Sequence, residues 1–563
     1  NTTGNSNTAV GYGALDANTT SSGNTAVGTS SLGANTTGNN NTAVGTSSLR
    51  VCTTGGRNTS IGKNSCYTLT TGDNNTVLGY QALYHSTTAS SCVAIGDHAL
   101  ANNTTGASNT ATGEACLLSN TTGANNTAVG YQALDANTTA DSSTAVGYAA
   151  LGGNTTGSGN AAFGYNALLA NTIGANNLCM GNSSNYASVE GTENTAIGNF
   201  TMAGAAGSRH NNTAVGYAAL YAVTTGDNNT ALGRHALYAC TTGSENASLS
   251  YYALSALTTG QYNVAAGRGA LQTGTTFLGN VGLGDYALQS CTANYNTAVG
   301  YRTLYYNTSG ADNSAVGRLA GFNVTTGYDN TIMGAVAMQN ATTGNSNAAF
   351  GYNALNDLTT SIQCTAVGAN ALASVTTGSY NTALGYGAGS SQTTGVDNVY
   401  IGRQCGENVG TNGEVMIYNG TNTARFQGSG TSWSITSDGR DKTDYQDLGL
   451  GIEFLKKIKP RQFKWDWRNG SKEGNGTIRA GFIAQEVLEA CDSEGLSRTP
   501  EDSITSNKVY PGVVDITNPD KYQVAAGDFI PMLIKAVQEL SAKNDELVAA
   551  NTALAARVSA LES

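Results

Sequence analysis

Along the first four hundred residues the apolar positions come in short runs, such as Ala9-Val10 and Ala14-Leu15, separated by polar stretches of Asn, Thr and Ser. The runs are too short for amphipathic helices. The informative period is longer. The phrase Asn-Thr-Ala-Val-Gly recurs, and its closing glycine falls at Gly11, Gly28, Gly45 and onward to Gly198. The series resumes at Gly216, passes through Gly233, Ser250, Gly267 and Gly284, and runs from Gly300 to Gly402. Those 24 marks leave 23 intervals, of which 21 are 17 residues long. Positions below are counted from this glycine, so that Ala-Val precede it at −2 and −1 and a Leu follows at +4.

Seventeen residues are too few for a helical hairpin, but two short apolar runs and a turn describe one coil of a parallel β-solenoid or β-roll. One coil cannot bury its apolar side chains alone, whereas stacked coils make a continuous core, expected here from the Val, Leu and Ala columns. With roughly 4.8 Å per coil, the shaft spans on the order of 110 Å. The glycine column fits a positive φ or a close backbone approach, and Ser250 predicts a local irregularity. Asn and Thr columns are expected to form hydrogen-bonded ladders between coils. Each coil offers few apolar side chains, so several chains are expected to pack together as a homotrimer. The shaft is thus 1–402, mainly β.

A β-rich connector follows over 403–436, with a hairpin expected from Glu414–Tyr418, a turn at 419–422 and Ala424–Phe426. From 437 to 563 the pattern turns α+β. Ile452 to Ile458 reads as an amphipathic helix, and the chain ends in heptads over 530–563. Positions a are Ile530, Val537, Asn544, Asn551 and Val558; positions d are Leu533, Leu540, Leu547, Leu554 and Leu561. That pattern predicts a coiled coil whose two Asn residues trade stability for register.

Composition divides the chain at the same place. All five prolines and all three tryptophans lie beyond residue 430. Residues 437–563 carry 16 Lys+Arg and 20 Asp+Glu, so of the 26 and 37 in the whole chain 10 and 17 remain for 1–436. The net charges are therefore −4 and −7. This acidic balance speaks against nucleic acid as a partner, and the absence of a long apolar run speaks against membrane insertion by a helix. The first residue is Asn1, so the numbering is expected to begin inside a longer polypeptide.

The nine shaft cysteines, Cys52, Cys66, Cys92, Cys116, Cys179, Cys240, Cys291, Cys364 and Cys405, scatter over several columns without zinc-ligand spacing. They are expected to be packed hydrophobes or exposed thiols, with no metal and no cofactor. His85, His98, His210 and His235 read as surface residues sharing no column. No recurring carboxylate pair suggests a glycosidase.

Candidate chemistry sits at the start of the last region. No histidine lies beyond 402, so a Ser-His-Asp arrangement is impossible there. A serine can instead be activated by a neutral lysine, and Ser437 and Lys442 flank a turn at Gly439. The surrounding Ser437-Asp438-Gly439-Arg440-Asp441-Lys442 resembles the Ser-Asp-x-Arg-x-Lys signature of the endosialidase-type intramolecular chaperones, self-cleaving domains at the end of many phage tail spikes and fibres. Further landmarks follow in order. Lys459-Pro-Arg-Gln-Phe-Lys-Trp465 is similar to the family's strand, Gly481-Phe-Ile-Ala-Gln-Glu-Val487 to its central phrase, and Ile530 to Leu540 to its closing helix.

The resemblance implies that Ser437 is the nucleophile, Lys442 the general base and Thr436–Ser437 the bond cut. Asp438 and Arg440 would hold the loop, and Gln485 and Glu486 would serve in helix capping or packing. The shaft in turn resembles the head repeats of trimeric autotransporter adhesins, through phrases such as Val93 to Gly96 and Thr195 to Gly198. Together these imply a trimeric viral tail fibre that meets a host-surface receptor or glycan. The alternative is a bacterial trimeric surface adhesin, which a C-terminal membrane barrel would mark.

Overall fold

The computed structural model describes residues 2–406, 412–421, 423–427, 434–435, 451–464, 478–493, 514–515, 523–524 and 529–562. The chain divides into two compact units, Asn1–Thr436 and Ser437–Ser563.

The first unit is a parallel β-solenoid of 24 coils. Each coil contributes one three-residue strand, from β1 (Thr8–Val10) to β24 (Val399–Ile401). Every strand pairs with the next in parallel, residue for residue, as in Thr8↔Thr25 and Ala9↔Ala26. The register survives the 18-residue coil (Thr195↔Thr213) and the 16-residue coil (Val281↔Thr297), so both length changes are absorbed outside the strands.

Within a strand the side chains alternate. The middle residue at −2 points inward and is buried in every coil after the first, while −3 and −1 point outward. This corrects the expectation of a Val column in the core. Val129, Met180 and Leu384 of the −1 column are 37%, 42% and 49% exposed, and the inner columns are Ala at −2, Ala or Ser at +3 and Leu at +4. The interior is too narrow for a branched side chain opposite Leu in most coils.

Exceptions obey volume complementarity. Where Gly321 and Gly389 replace the +4 Leu, the facing −2 seats hold Ile332 and Tyr400, whose side chains fill the space a Cβ would need. Where Cys66 replaces Leu, Val77 takes the −2 seat.

The +4 column also carries the fold's backbone irregularity. Leu32 and Leu49, like their counterparts along the shaft, have φ near +50°, a conformation unusual for a bulky residue. Complete burial and a hydrogen bond from the Leu32 N–H to the Ser48 carbonyl (3.0 Å) offset that cost. Sterics favour the repeating glycine: Gly79 has φ +151°, and a Cβ there would lie 2.1 Å from the Gly96 carbonyl oxygen. Ser250 keeps the column with φ 150° and donates its N–H to the Leu232 carbonyl at 2.8 Å. The expected irregularity shows one coil later. The Gly267 N–H reaches the Leu249 carbonyl at 3.3 Å, against 2.7–2.9 Å at the equivalent bonds elsewhere.

Many buried polar groups are satisfied by ladders. At −4, the Asn24 side-chain oxygen accepts the Asn41 N–H (2.8 Å), and the Asn41 amide donates to the Gly55 carbonyl (2.8 Å). At +8, the Thr36 hydroxyl donates to the Thr53 carbonyl at 3.0 Å, and Thr53 to Thr70 at 3.2 Å. All nine shaft cysteines are buried. Several stand in for Asn: Cys92 and Cys364 occupy the −4 ladder, and their thiols reach the Gly106 and Gly378 carbonyls at 3.4 and 3.3 Å.

The 18-residue coil holds a buried cation. Arg209 is fully buried, and its guanidinium donates to the Met202 and Ala205 carbonyls (2.8 and 3.0 Å), to the Val223 carbonyl and to the Asn185 side-chain oxygen (3.0 Å). Asn185 is the one Asn in the +4 column, so the long coil and its polar core change together. The histidine reading is also corrected: His98 and His235 share the +2 column, both at positive φ.

The solenoid ends by changing strand direction. β25 (Glu414–Tyr418) extends the parallel sheet, and β26 (Thr423–Gln427) folds back antiparallel on it as the hairpin pattern predicts. β27 (Ser434–Ile435) pairs antiparallel with β26. Glu414 closes the Asn ladder, taking the Asn398 side-chain oxygen on its N–H at 2.9 Å, and its buried carboxylate ion-pairs with Arg425.

In the second unit α1 (Ile452–Lys457) precedes an antiparallel pair, β28 (Arg461–Lys464) and β29 (Ile478–Gly481). Then come α2 (Ala484–Ser493), the short pair β30 (Val514–Asp515) and β31 (Gln523–Val524), and the 33-residue α3 (Phe529–Leu561). Pro531 falls in the first turn of α3, where its missing N–H costs nothing.

Candidate functional site

Thr436, Ser437, Asp438, Arg440 and Lys442 lie outside the described residues. What the structure describes is the framework beyond them and the surfaces through which the chain can act.

The second unit is organised around a small core. Phe454 and Ile458 from α1 and its exit, Val487, Ala490 and Cys491 from α2, and Phe529 and Met532 from α3 pack together. Two polar contacts fix the elements around this core. Gly451 offers no side chain to cap α1, so the Glu539 carboxylate on α3 accepts the Ile452 N–H at 2.8 Å. An anion at a helix N-terminus satisfies an orphan donor and complements the helix dipole. A Cβ at residue 451 would lie 2.2 Å from that carboxylate. Secondly, Arg461 on β28 grips Glu486 on α2 through two hydrogen bonds, 2.9 and 2.7 Å. This fork-like pairing holds the Glu486 carboxyl below its ordinary range. Glu486 is thus tied to the strand by paired hydrogen bonds, while Gln485 is exposed.

Glu539, Gly451 and Arg461 were not singled out by sequence. The contact between Glu539 and Ile452 spans 87 positions, and no local pattern announces it.

The most conspicuous surface is on α3. From Leu540 onward the helix is exposed, and the heptad positions are exposed from Leu533: Leu533 52%, Val537 65%, Leu540 56%, Leu547 62%, Leu554 59%. A single helix carrying a continuous apolar stripe in water is unstable unless the stripe is covered. In the shaft the outward −1 column is a second, partly exposed apolar stripe, broken at Thr112.

Among the described residues no three metal-ligating side chains gather, and no helix is long and apolar enough to cross a membrane.

The family described as chaperone of endosialidase matches residues 437–496. No curated protein and no solved structure matches the chain.

Proposed function

We propose that the chain is a trimeric viral tail fibre whose C-terminal unit aligns three copies and then cuts itself off between Thr436 and Ser437. The observation that carries this reading is a coincidence of boundaries. The match to the chaperone of endosialidase begins at Ser437, and the second compact unit begins at the same residue. Ser437 and Lys442 are the serine and lysine of the signature that opens this match.

Alignment is what such a fibre needs. Twenty-four nearly identical coils have many possible registers between chains, and a one-coil slip costs little locally. Three α3 helices joined through their exposed heptads would set one register first, after which the −1 columns of the shafts cover one another. In the cleavage step the Ser437 hydroxyl attacks the Thr436 carbonyl carbon, forming a C–O bond as the C–N bond to its own nitrogen breaks. Neutral Lys442 removes the hydroxyl proton and returns one to the departing amine. Water then hydrolyses the ester, leaving a fibre that ends at Thr436 and a released 437–563 chaperone. Desolvation of Lys442 would supply the neutral amine. Removing the aligning element makes the assembled fibre kinetically trapped.

Ser437→Ala and Lys442→Ala are each expected to leave the full-length chain on a denaturing gel. Continued cutting at 436/437 in both variants would show the dyad assignment to be wrong.

A further inference from the structure

The shaft has few cations, yet Arg234, Arg268 and Arg302 fall on alternate coils of one face, at +1, +1 and +2. Each lies over at least one tyrosine ring. Arg234 sits 5.7 Å from the Tyr217 ring and 5.8 Å from Tyr251. Arg268 lies 4.7 Å from Tyr286, which Arg302 also approaches at 5.8 Å. Arg302 further contacts Tyr301 at 5.1 Å and Tyr305 at 5.5 Å. The result is an alternating strip of guanidinium and phenol groups covering six coils.

None of these three arginines makes an ion pair with a carboxylate among the described residues, and the buried Nε of Arg302 has no hydrogen-bond partner. An acid on this face, Asp285, accepts the Arg268 backbone N–H at 3.1 Å. The strip continues through the Tyr305–Tyr306 edge contact, 4.6 Å, into a shallow groove of about 400 Å³ lined by Tyr306, Thr308, Asn323, Thr325, Asn340 and Thr342. That groove carries hydroxyls and amides without charge.

We infer that this face, from Tyr217 to the groove beside Tyr306, binds an extended acidic polysaccharide. The guanidinium groups are unpaired with acids and held by cation–π contacts, ready to take carboxylates in the fork geometry that suits them. Their repeat, two coils or roughly 9.6 Å, is on the scale of a disaccharide. Hydroxyl and amide groups between and beyond them suit sugar hydroxyls. Single-stranded nucleic acid needs open ring faces and a dense cationic track, whereas here Tyr286 lies between two guanidiniums and the chain is acidic. The inference deepens the host-attachment part of the proposed function by naming a ligand class and a face, and it is independent of self-cleavage.

The test uses the full chain, with assembly state and cleavage recorded on the same preparation so that failure of binding is separable from failure of the fibre reading. Hyaluronan, with one carboxylate per disaccharide, is the probe; dextran and a single-stranded oligonucleotide are the comparisons. Binding of hyaluronan over both, weakened at least tenfold in an R234Q/R268Q/R302Q variant but unchanged in R50Q/R57Q, is the expected result. Should the triple variant melt early, Tyr306→Ser in the uncharged groove gives a second reading, and severalfold weaker binding is expected. Equal retention of hyaluronan by the triple variant, equal binding of the oligonucleotide, or no binding by a well-assembled chain would each overturn the inference.

Discussion

At the residue scale the shaft repeats a few seats, and the chain itself contains the substitutions that each seat tolerates. The −4 Asn seat donates to the +10 carbonyl and accepts the next coil's −4 N–H, and Cys92 and Cys364 show that a thiol can take over the donation. Asn58→Cys keeps a donor for the Gly72 carbonyl but loses the acceptor for the Asn75 N–H, and is expected to cost less than Asn58→Ala. Asn58→Ala leaves the Asn75 N–H and the Gly72 carbonyl unpaired, at a cost of about 1–3 kcal/mol, readable in a denaturant titration. Gly79→Ala is expected to cost at least about 2 kcal/mol, since strain at positive φ adds to a backbone collision. Thiols give a pH signature. Burial pushes Cys52 and Cys116 up to about 11 and Cys179, Cys240 and Cys291 up to about 12, from an ordinary 9.0. Unfolded thiols ionise first as pH rises. The stability these groups lend is intact below pH 9 and lost as pH climbs from 9 towards 12. Denaturant midpoints should fall over that window, and less steeply in a variant with these five cysteines changed to Ala.

At the element scale the predictions concern how helices and coils are held. Glu539→Ala removes the acceptor for the first turn of α1, and a loss of about 1 kcal/mol is expected, measurable as faster amide exchange at Ile452. Leu547→Asp places a charge in the centre of the exposed heptad stripe and is expected to abolish self-association in sedimentation and, with it, cleavage. Much of this scale was legible in the sequence. The 17-residue count located every strand because each column has one steric job, and the hairpin at Glu414 and the terminal helix followed from their patterns. The direction of the Val column was not legible, because a three-residue strand offers too little alternation to show which side faces in. Outward Val became clear only once Ala was seen filling a narrow interior opposite Leu. The Arg461–Glu486 and Glu539–Ile452 contacts join residues 25 and 87 positions apart, and nothing local marks such pairs. The dyad was legible as a motif alone, Ser437 and Lys442 lying outside the described residues.

At the scale of the whole molecule, two apolar stripes, one along the shaft and one along α3, are the surfaces through which the proposed trimer would form. A bond between Thr436 and Ser437 separates the unit that would align those copies from the unit that would remain. The most direct measurement is the intact mass of purified wild-type protein, with N-terminal sequencing of its smallest fragment. Two species are predicted, one ending at Thr436 and one beginning with Ser437-Asp438-Gly439, appearing together as the protein assembles. A single uncut mass in fully assembled trimer, or a fragment beginning at any other residue, would contradict the account.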